Sequence, residues 1–414
     1  ALSAEDRALA DGAFEEEARD GSRYRLRFVA HEPAAYELSH NLVANPTLWF
    51  VQHGLWELKH DPGAGLEQAW SSGYEVVNET FAAAVCEELE REPEAAALFH
   101  DYHLYRAPLL VRARLPDAVL AHFTHIPWVG PDEWAVLPER IVRAIHEGLL
   151  ASDVVGFHTE RWRQAFLSTC VSLGLEPGRS LVTAHPISVD FREFETLAES
   201  TAVLEREREL VGSRSERLVL RVDRTDPSKN VPRGLEAFEL LLVRRPDLIG
   251  RVTMLALLDP SRQTIPEYLA ERERIEVVAA RLETRFPGAL LVRFADDFHL
   301  SIAAYKQFDV LLVNAVLDGL NLVAKEAPLV NTRNGVVVLS ENAGAFEELG
   351  EWVLVVDPFD VSAQSDALER ALELPLAARR ERLEGIRGHV RTHDLSHWIG
   401  AQLADLERAT SMRP

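Results

Sequence analysis

The feature that most restricts this chain is a change of rhythm near residue 115. From there, short runs rich in β-branched and apolar residues alternate with amphipathic stretches, a pattern that predicts a parallel sheet covered by helices on both faces. "AVLAHFTHI" reads as a strand, and "LPERIVRAIHEGLL" as a helix with Ile141, Ile145 and Leu149 on one face. "DVVGFHT", "ERWRQAFLSTCVSL" and the segment around "VTAHPISVD" continue as strand, helix and strand. The charged stretch from about 191 to 216 reads as a helical connection between domains. A second series follows, with strands at "RLVLRVDR", "RVTMLALL", "ALLVRFA", "FDVLLVNAV", "GVVVLSE" and "WVLVVD". The expected fold is therefore α/β, with two Rossmann-like domains facing a central cleft. The first is expected over residues 1–200 and the second over 201–395, with a helix in 396–414 packing back on the first. Ligands of such sheets sit at the carboxyl ends of the strands, so the chemistry is expected in the cleft.

A chain of 414 residues exceeds what one core usually organises, in keeping with two domains. Its 66 acidic and 44 basic side chains leave a formal charge of −22, which argues against a nucleic-acid or anionic-membrane binder, because those partners need a basic face. Any phosphate site must then be a local cationic niche. Lys59, Lys229, Lys306 and Lys325 are the only lysines, and two of them fall in the segments considered next. Cys86 and Cys170 lack metal-ligand spacing and read as buried thiols of a cytoplasmic protein. No apolar run approaches the ~18 residues that span a bilayer. No Ser-His-Asp order, zinc spacing, Walker loop or GxGxxG is present, so no metal or cofactor is expected. A homo-oligomer is left open.

Two loops in the second series carry charge where the sheet should end. In "DGLNLVAKE" (318–326), Gly319 offers freedom for a tight turn and the following helix start offers N–H groups to an anion. Glu326 could accept from two vicinal hydroxyls, and Asp318 could hold sugar hydroxyls or face a developing positive charge. A plain strand-turn-helix with a capping Asp and a solvated Glu fits the spacing equally well. In "RVDRTDPSKN" (221–230), Arg224 and Lys229 share one loop ahead of a helix and could neutralise a pyrophosphate leaving group, although a solvated surface loop is the simpler reading. In the first domain, His125 of "AHFTHIPWVG" follows a strand, and Asp101 of "HDYHL" is either a helix cap or a sugar-binding carboxylate.

Taken together, "HDYHL", "HIPW", "GFHTERWRQAFL", "DGLNLVAKE" and "LSENAGAFEEL" resemble the trehalose-6-phosphate synthase family, retaining glycosyltransferases of the GT-B fold. The resemblance runs from about residue 46 to about 403. It implies that Asp318, Gly319, Asn321, Leu322, Val323 and Glu326 bind the donor, that Arg224 and Lys229 hold its phosphates, and that His125 contacts its sugar. Asp101, Trp70 and Arg262 would bind the acceptor. The partners implied are a nucleotide-sugar donor and a sugar-phosphate acceptor, and the reaction implied is glucosyl transfer to glucose 6-phosphate, with GDP-glucose set slightly ahead of UDP-glucose. The family's first strand, with a glycine-rich loop and an arginine for the acceptor phosphate, has no counterpart here. Gly54 stands where a tyrosine is expected, with His53 and Trp56 nearby, and Pro328 interrupts a helix that normally continues. "RTDPSKN" and Pro328 look like the validoxylamine 7′-phosphate synthase branch, which implies a GDP-cyclitol donor and an aminocyclitol phosphate acceptor as the alternative. A sugar-phosphate sensor without turnover is a third reading.

Overall fold

The computed structural model describes residues 13–18, 21–59 and 65–412. Among them, twelve strands form a hairpin and two parallel sheets. The first parallel sheet runs in the order β3 (Ala96–His100), β4 (Val119–Phe123), β5 (Val154–Phe157) and β6 (Leu181–Ala184). The second contains β7 (Arg217–Arg224), β8 (Val252–Asp259), β9 (Leu290–Phe294), β10 (Val310–Val313), β11 (Val336–Ser340) and β12 (Leu354–Val356), ordered β12-β11-β10-β7-β8-β9. Each run that reads as a strand in the sequence is one of these. β10 and β11 are buried along their whole length, as an apolar run covered on both faces requires. The result is the expected pair of Rossmann-like α/β domains.

The chain order reverses in the second sheet, because β8 and β9 build outward from one side of β7 while β10 joins its other side. β10 pairs with β7 through Val310–Val219 and Leu311–Leu220. The loops leaving β7 and β10 therefore emerge side by side, and such a reversal is where open α/β sheets bind ligands.

Helix α1 (Glu75–Arg91) flanks β3, α2 (Glu139–Leu150) buries Ile141, Ile145 and Leu149 on one face, and α3 (Glu160–Ser172) follows β5. The stretch expected to be an interdomain connection forms α4 (Phe191–Ala198) and α5 (Thr201–Ser213). Phe194, Ala198, Val203 and Leu210 lie in the same core as Leu218, Leu220 and Leu311 of the second sheet. A boundary at residue 200 thus cuts between two helices that share one core. The second domain continues through α6 (Val231–Arg244), α7 (Pro266–Arg285), α8 (Phe298–Gln307), α9 (Val323–Val330) and α10 (Leu376–Thr392). The last helix, α11 (Leu395–Ser411), packs Leu406 and Ala409 on Ala121 and Val154 of the first sheet, and its Asp405 meets His185 at 2.6 Å.

Sequence reading missed the N-terminal hairpin of β1 (Ala13–Glu17) and β2 (Arg23–Arg27). Arg25 and Arg27 tie it to Glu87, Glu88 and Glu92 at the α1 end. Among the described residues no strand pairs with the outer edge of β3, and a cavity of about 880 Å³ lies between that edge, the hairpin and α1. Cys86 and Cys170 are both buried thiols. No helix among the described residues is long and apolar enough to cross a membrane.

Candidate active site

The β7 loop is held from behind by a buried cation. Arg221, fully buried, pairs with Asp223 at 2.7 Å and donates to the Lys229 carbonyl at 2.9 Å. Asn230 adopts the left-handed conformation at φ 58° and donates to the carbonyls of Asn314 and Pro358, which turns the chain into α6. Lys229 is thereby aimed at the β10 loop, where its Nζ lies 2.5 Å from Asp318 Oδ2. The two residues are 89 positions apart in the chain and meet only because β7 and β10 are neighbours. Burial disfavours both charges, but each partner outweighs it: Lys229 is held above the usual amine range and Asp318 below the usual carboxylate range. Arg224, half exposed at the end of β7, lies 2.6 Å from the buried carboxylate of Asp226, and its charge is felt at Lys229.

The glycine in this loop is needed for a reason other than the expected one. Gly319 does not take a positive φ; Asn321 does, at 87°, with its side chain bonded to Asp318 and to the Ala324 N–H. A Cβ on Gly319 would lie 1.9 Å from the His125 carbonyl oxygen, so the absent side chain is what lets the two domains touch. Leu322 and Val323 open α9, which ends two residues after Pro328, as an internal proline favours. Glu326 accepts from Tyr305 at 3.1 Å, and burial pushes its pKa up to about 6. Tyr305 also lies within the fields of Asp223 and Asp259 at the ends of β7 and β8. Lys325 points away: it is buried against Glu348 and donates to the Ile187 carbonyl.

The first domain faces this cluster with imidazoles, a phenol and the Asp101 carboxylate. His125 shares a hydrogen bond with His100 at 3.1 Å and packs among Phe123, His158 and Trp398. Burial, then the neighbouring His100, brings its pKa down to about 4. Asp101, left-handed at φ 62°, accepts from the backbone N–H groups of His125 and Ile126, while burial raises its pKa to about 6. One carboxylate oxygen thus fixes the loop carrying His125. Arg262 crosses the cleft, donating to Tyr102 at 2.7 Å and to Tyr268 at 2.5 Å, with its guanidinium over the Trp49 ring.

Trp70 is the exception among the expected site residues. It is 1% exposed and stacked on Tyr74 in the first core, and the Tyr74 hydroxyl donates to the Tyr102 carbonyl. It supports the Tyr102 segment from behind through Tyr74. Gly54 has φ 63° and nothing within 4 Å of where a Cβ would stand. Tyr102, Tyr268, Tyr305 and Arg221 were missed as contributors, since a buried polar side chain has no sequence signal until the fold supplies its partner.

The model of glycosyltransferase family 20 matches residues 13–408. The chain belongs to that family. The enzyme is 31% identical over 406 residues to validamine 7-phosphate valienyltransferase of Streptomyces hygroscopicus subsp. jinggangensis, covering 94% of this chain and 80% of the relative. It superposes with a TM-score of 0.84 on a UDP-forming α,α-trehalose-phosphate synthase from Burkholderia vietnamiensis, at 30% identity over 94% of this chain and 87% of that one. A UDP-forming synthase from Burkholderia xenovorans in complex with glucose-6-phosphate gives a TM-score of 0.83 at 26% identity, covering 96% and 89% of the two chains. The glycosyltransferase therefore has the GT-B arrangement that its motifs imply.

Proposed function

We propose that this glycosyltransferase moves glucose, with retention at the anomeric carbon, from a nucleoside diphosphate to glucose 6-phosphate, forming α,α-trehalose 6-phosphate. The observation that carries the reading is the Lys229–Asp318 pair at the strand-order reversal, with Arg224 beside it. As the bond from the anomeric carbon to the phosphate oxygen breaks, negative charge grows on the diphosphate, and two fixed cations oppose that charge without reorganising. The acceptor hydroxyl attacks from the same face and passes its proton to the departing phosphate oxygen, so no carboxylate nucleophile is needed. Glu326, held by Tyr305, is suited to the ribose hydroxyls, and neutral His125 to hydrogen bonding with the donor sugar. Arg262 is a cation suited to the acceptor phosphate, and Asp101, beside it in the cleft, is suited to acceptor hydroxyls. The names of the structural relatives support UDP-glucose, and we place it ahead of GDP-glucose.

Pseudo-glycosyl transfer to an aminocyclitol phosphate is the second reading, favoured by the Streptomyces relative and by the open space at Gly54. Both readings share the nucleoside diphosphate seat and differ in the group transferred, glucose or a cyclitol, and in the acceptor. The test is a panel of UDP-glucose, GDP-glucose and a GDP-cyclitol, each with glucose 6-phosphate or an aminocyclitol phosphate, followed by nucleoside diphosphate release. Release with glucose 6-phosphate, together with a non-reducing disaccharide phosphate, supports the first reading; release with the aminocyclitol alone replaces it with the second.

A further inference from the structure

Two sequence segments, "GFHTERW" and "ENAGAFEEL", supply none of the donor or acceptor contacts above, yet they meet across the cleft. At the start of α3, the Glu347 carboxylate of the second domain accepts from the backbone N–H groups of Glu160 at 3.2 Å and Arg161 at 3.3 Å. A carboxylate there satisfies two donors that the helix cannot satisfy itself and lies at the positive end of its dipole. Trp162, 3% exposed, donates from Nε1 to the Gly319 carbonyl at 2.9 Å. On the second domain's side, Gly344 N–H donates to the Asp318 carbonyl at 3.0 Å, and Asp318 N–H to the Asn342 carbonyl at 3.2 Å. The 342–347 segment is thus bonded to the donor loop on one side and to α3 on the other. The fit leaves no slack: a Cβ on Gly344 would lie 2.1 Å from the Gly319 carbonyl oxygen and 3.0 Å from Thr159 Cγ2. Glu348 turns the opposite way, to Lys325 and His389, and anchors the same turn in its own domain.

We propose that Trp162 and Glu347 are positioning residues that clasp the first domain to the donor loop, so that Asp318, Gly319 and Asn321 hold their reactive arrangement only while the domains are docked. The proposal rests on the transferase reading for its effect on turnover, whereas the clasp itself is a property of docking and can be measured without turnover. Neither side chain touches the reacting groups. Nucleotide binding by Arg224, Lys229 and Glu326 belongs to the second domain alone and should survive loss of the clasp.

The experiment compares Glu347→Ala, Glu347→Gln and Trp162→Phe with the wild type by steady-state kinetics, by UDP titration and by small-angle X-ray scattering. Glu347 is exposed, so its replacement does not threaten the core; Trp162→Phe keeps the ring and removes only the N–H donor. Glu347→Ala and Trp162→Phe should each lower kcat about tenfold or more, leave UDP affinity within about threefold, and enlarge the radius of gyration. Glu347→Gln, which keeps one acceptor oxygen but turns an amide NH2 toward the second N–H group, should recover part of the loss relative to Glu347→Ala. Wild-type kcat with an unchanged scattering profile in both variants would overturn the proposal. So would a loss of UDP affinity as large as the loss of kcat, which would make these residues part of the donor pocket. If the wild type turns over none of the panel yet the variants still open, the function reading fails and the clasp stands.

Discussion

At the cleft, the second domain presents Arg224, Lys229, Asp318 and Glu326, charged groups set by loops that leave adjacent strands at a reversal of strand order. The first presents His100, His125 and Tyr102 with a partly committed Asp101, groups held largely neutral by burial or spent on shaping a loop. The contrast follows from the ligands each would hold. A diphosphate carries concentrated charge and needs fixed opposite charge, whereas a sugar offers hydroxyls and needs directional neutral partners. In a protein of net charge −22, Arg224 and Lys229 stand on the second domain's side of the cleft, and Arg262 is the cation that reaches across to Tyr102 and Trp49 of the first.

If the donor wall works through charge, its loss should be the most damaging. Lys229→Ala is expected to lower kcat by about a hundred- to a thousandfold, read by coupled nucleotide release, and to lower the melting temperature as well, because it leaves the Asp318 carboxylate buried without its partner. Next comes the contact between the walls. Gly319→Ala drives a methyl group into the His125 carbonyl and should lower kcat on the order of a hundredfold, with the donor KM changed far less. A wild-type rate in that variant would mean that the two walls need not meet.

Glu326 sharpens the donor half further through pH. It must be ionised to accept from two hydroxyls, and burial has raised its pKa to about 6, so donor affinity is present above that value and lost as pH falls through it. Donor KM should rise as pH falls through 6 in the wild type and level off about tenfold higher. Glu326→Gln should have a donor KM about tenfold higher at pH 8 and flat with pH. The smallest effect belongs to the acceptor wall. Trp70→Phe should cost roughly 1–2 kcal/mol of stability and leave the acceptor KM within about twofold, because the ring lies in the core. A large rise in acceptor KM would restore Trp70 to the site.

The two halves also differ in how far they could be read in advance. The donor loops were legible because turn formers, a helix start and a charge fall together within a few residues, and the apolar runs before them are long enough to be strands. Their meeting was less legible, since nothing local says that β10 returns to the side of β7. In the first domain burial decides what a residue does, and a Trp or Tyr in a sequence looks the same in a core as in a cleft, which is why the burial of Trp70 could not be read in advance. The stretch 191–213 reads as a connection because it is charged and sparse in β-branched residues, yet Phe194, Val203 and Leu210 suffice to join it to the second core.

The claim beneath the account is that Lys229 and Arg224 form a seat for the terminal phosphate of a nucleoside diphosphate. Calorimetric titration of UDP and uridine monophosphate into the wild type and Lys229→Ala tests it most directly. The wild type should bind UDP at least tenfold more tightly than the monophosphate, and the difference should largely vanish in the variant. Equal affinities in the wild type, or a preference that survives loss of Lys229, would contradict it.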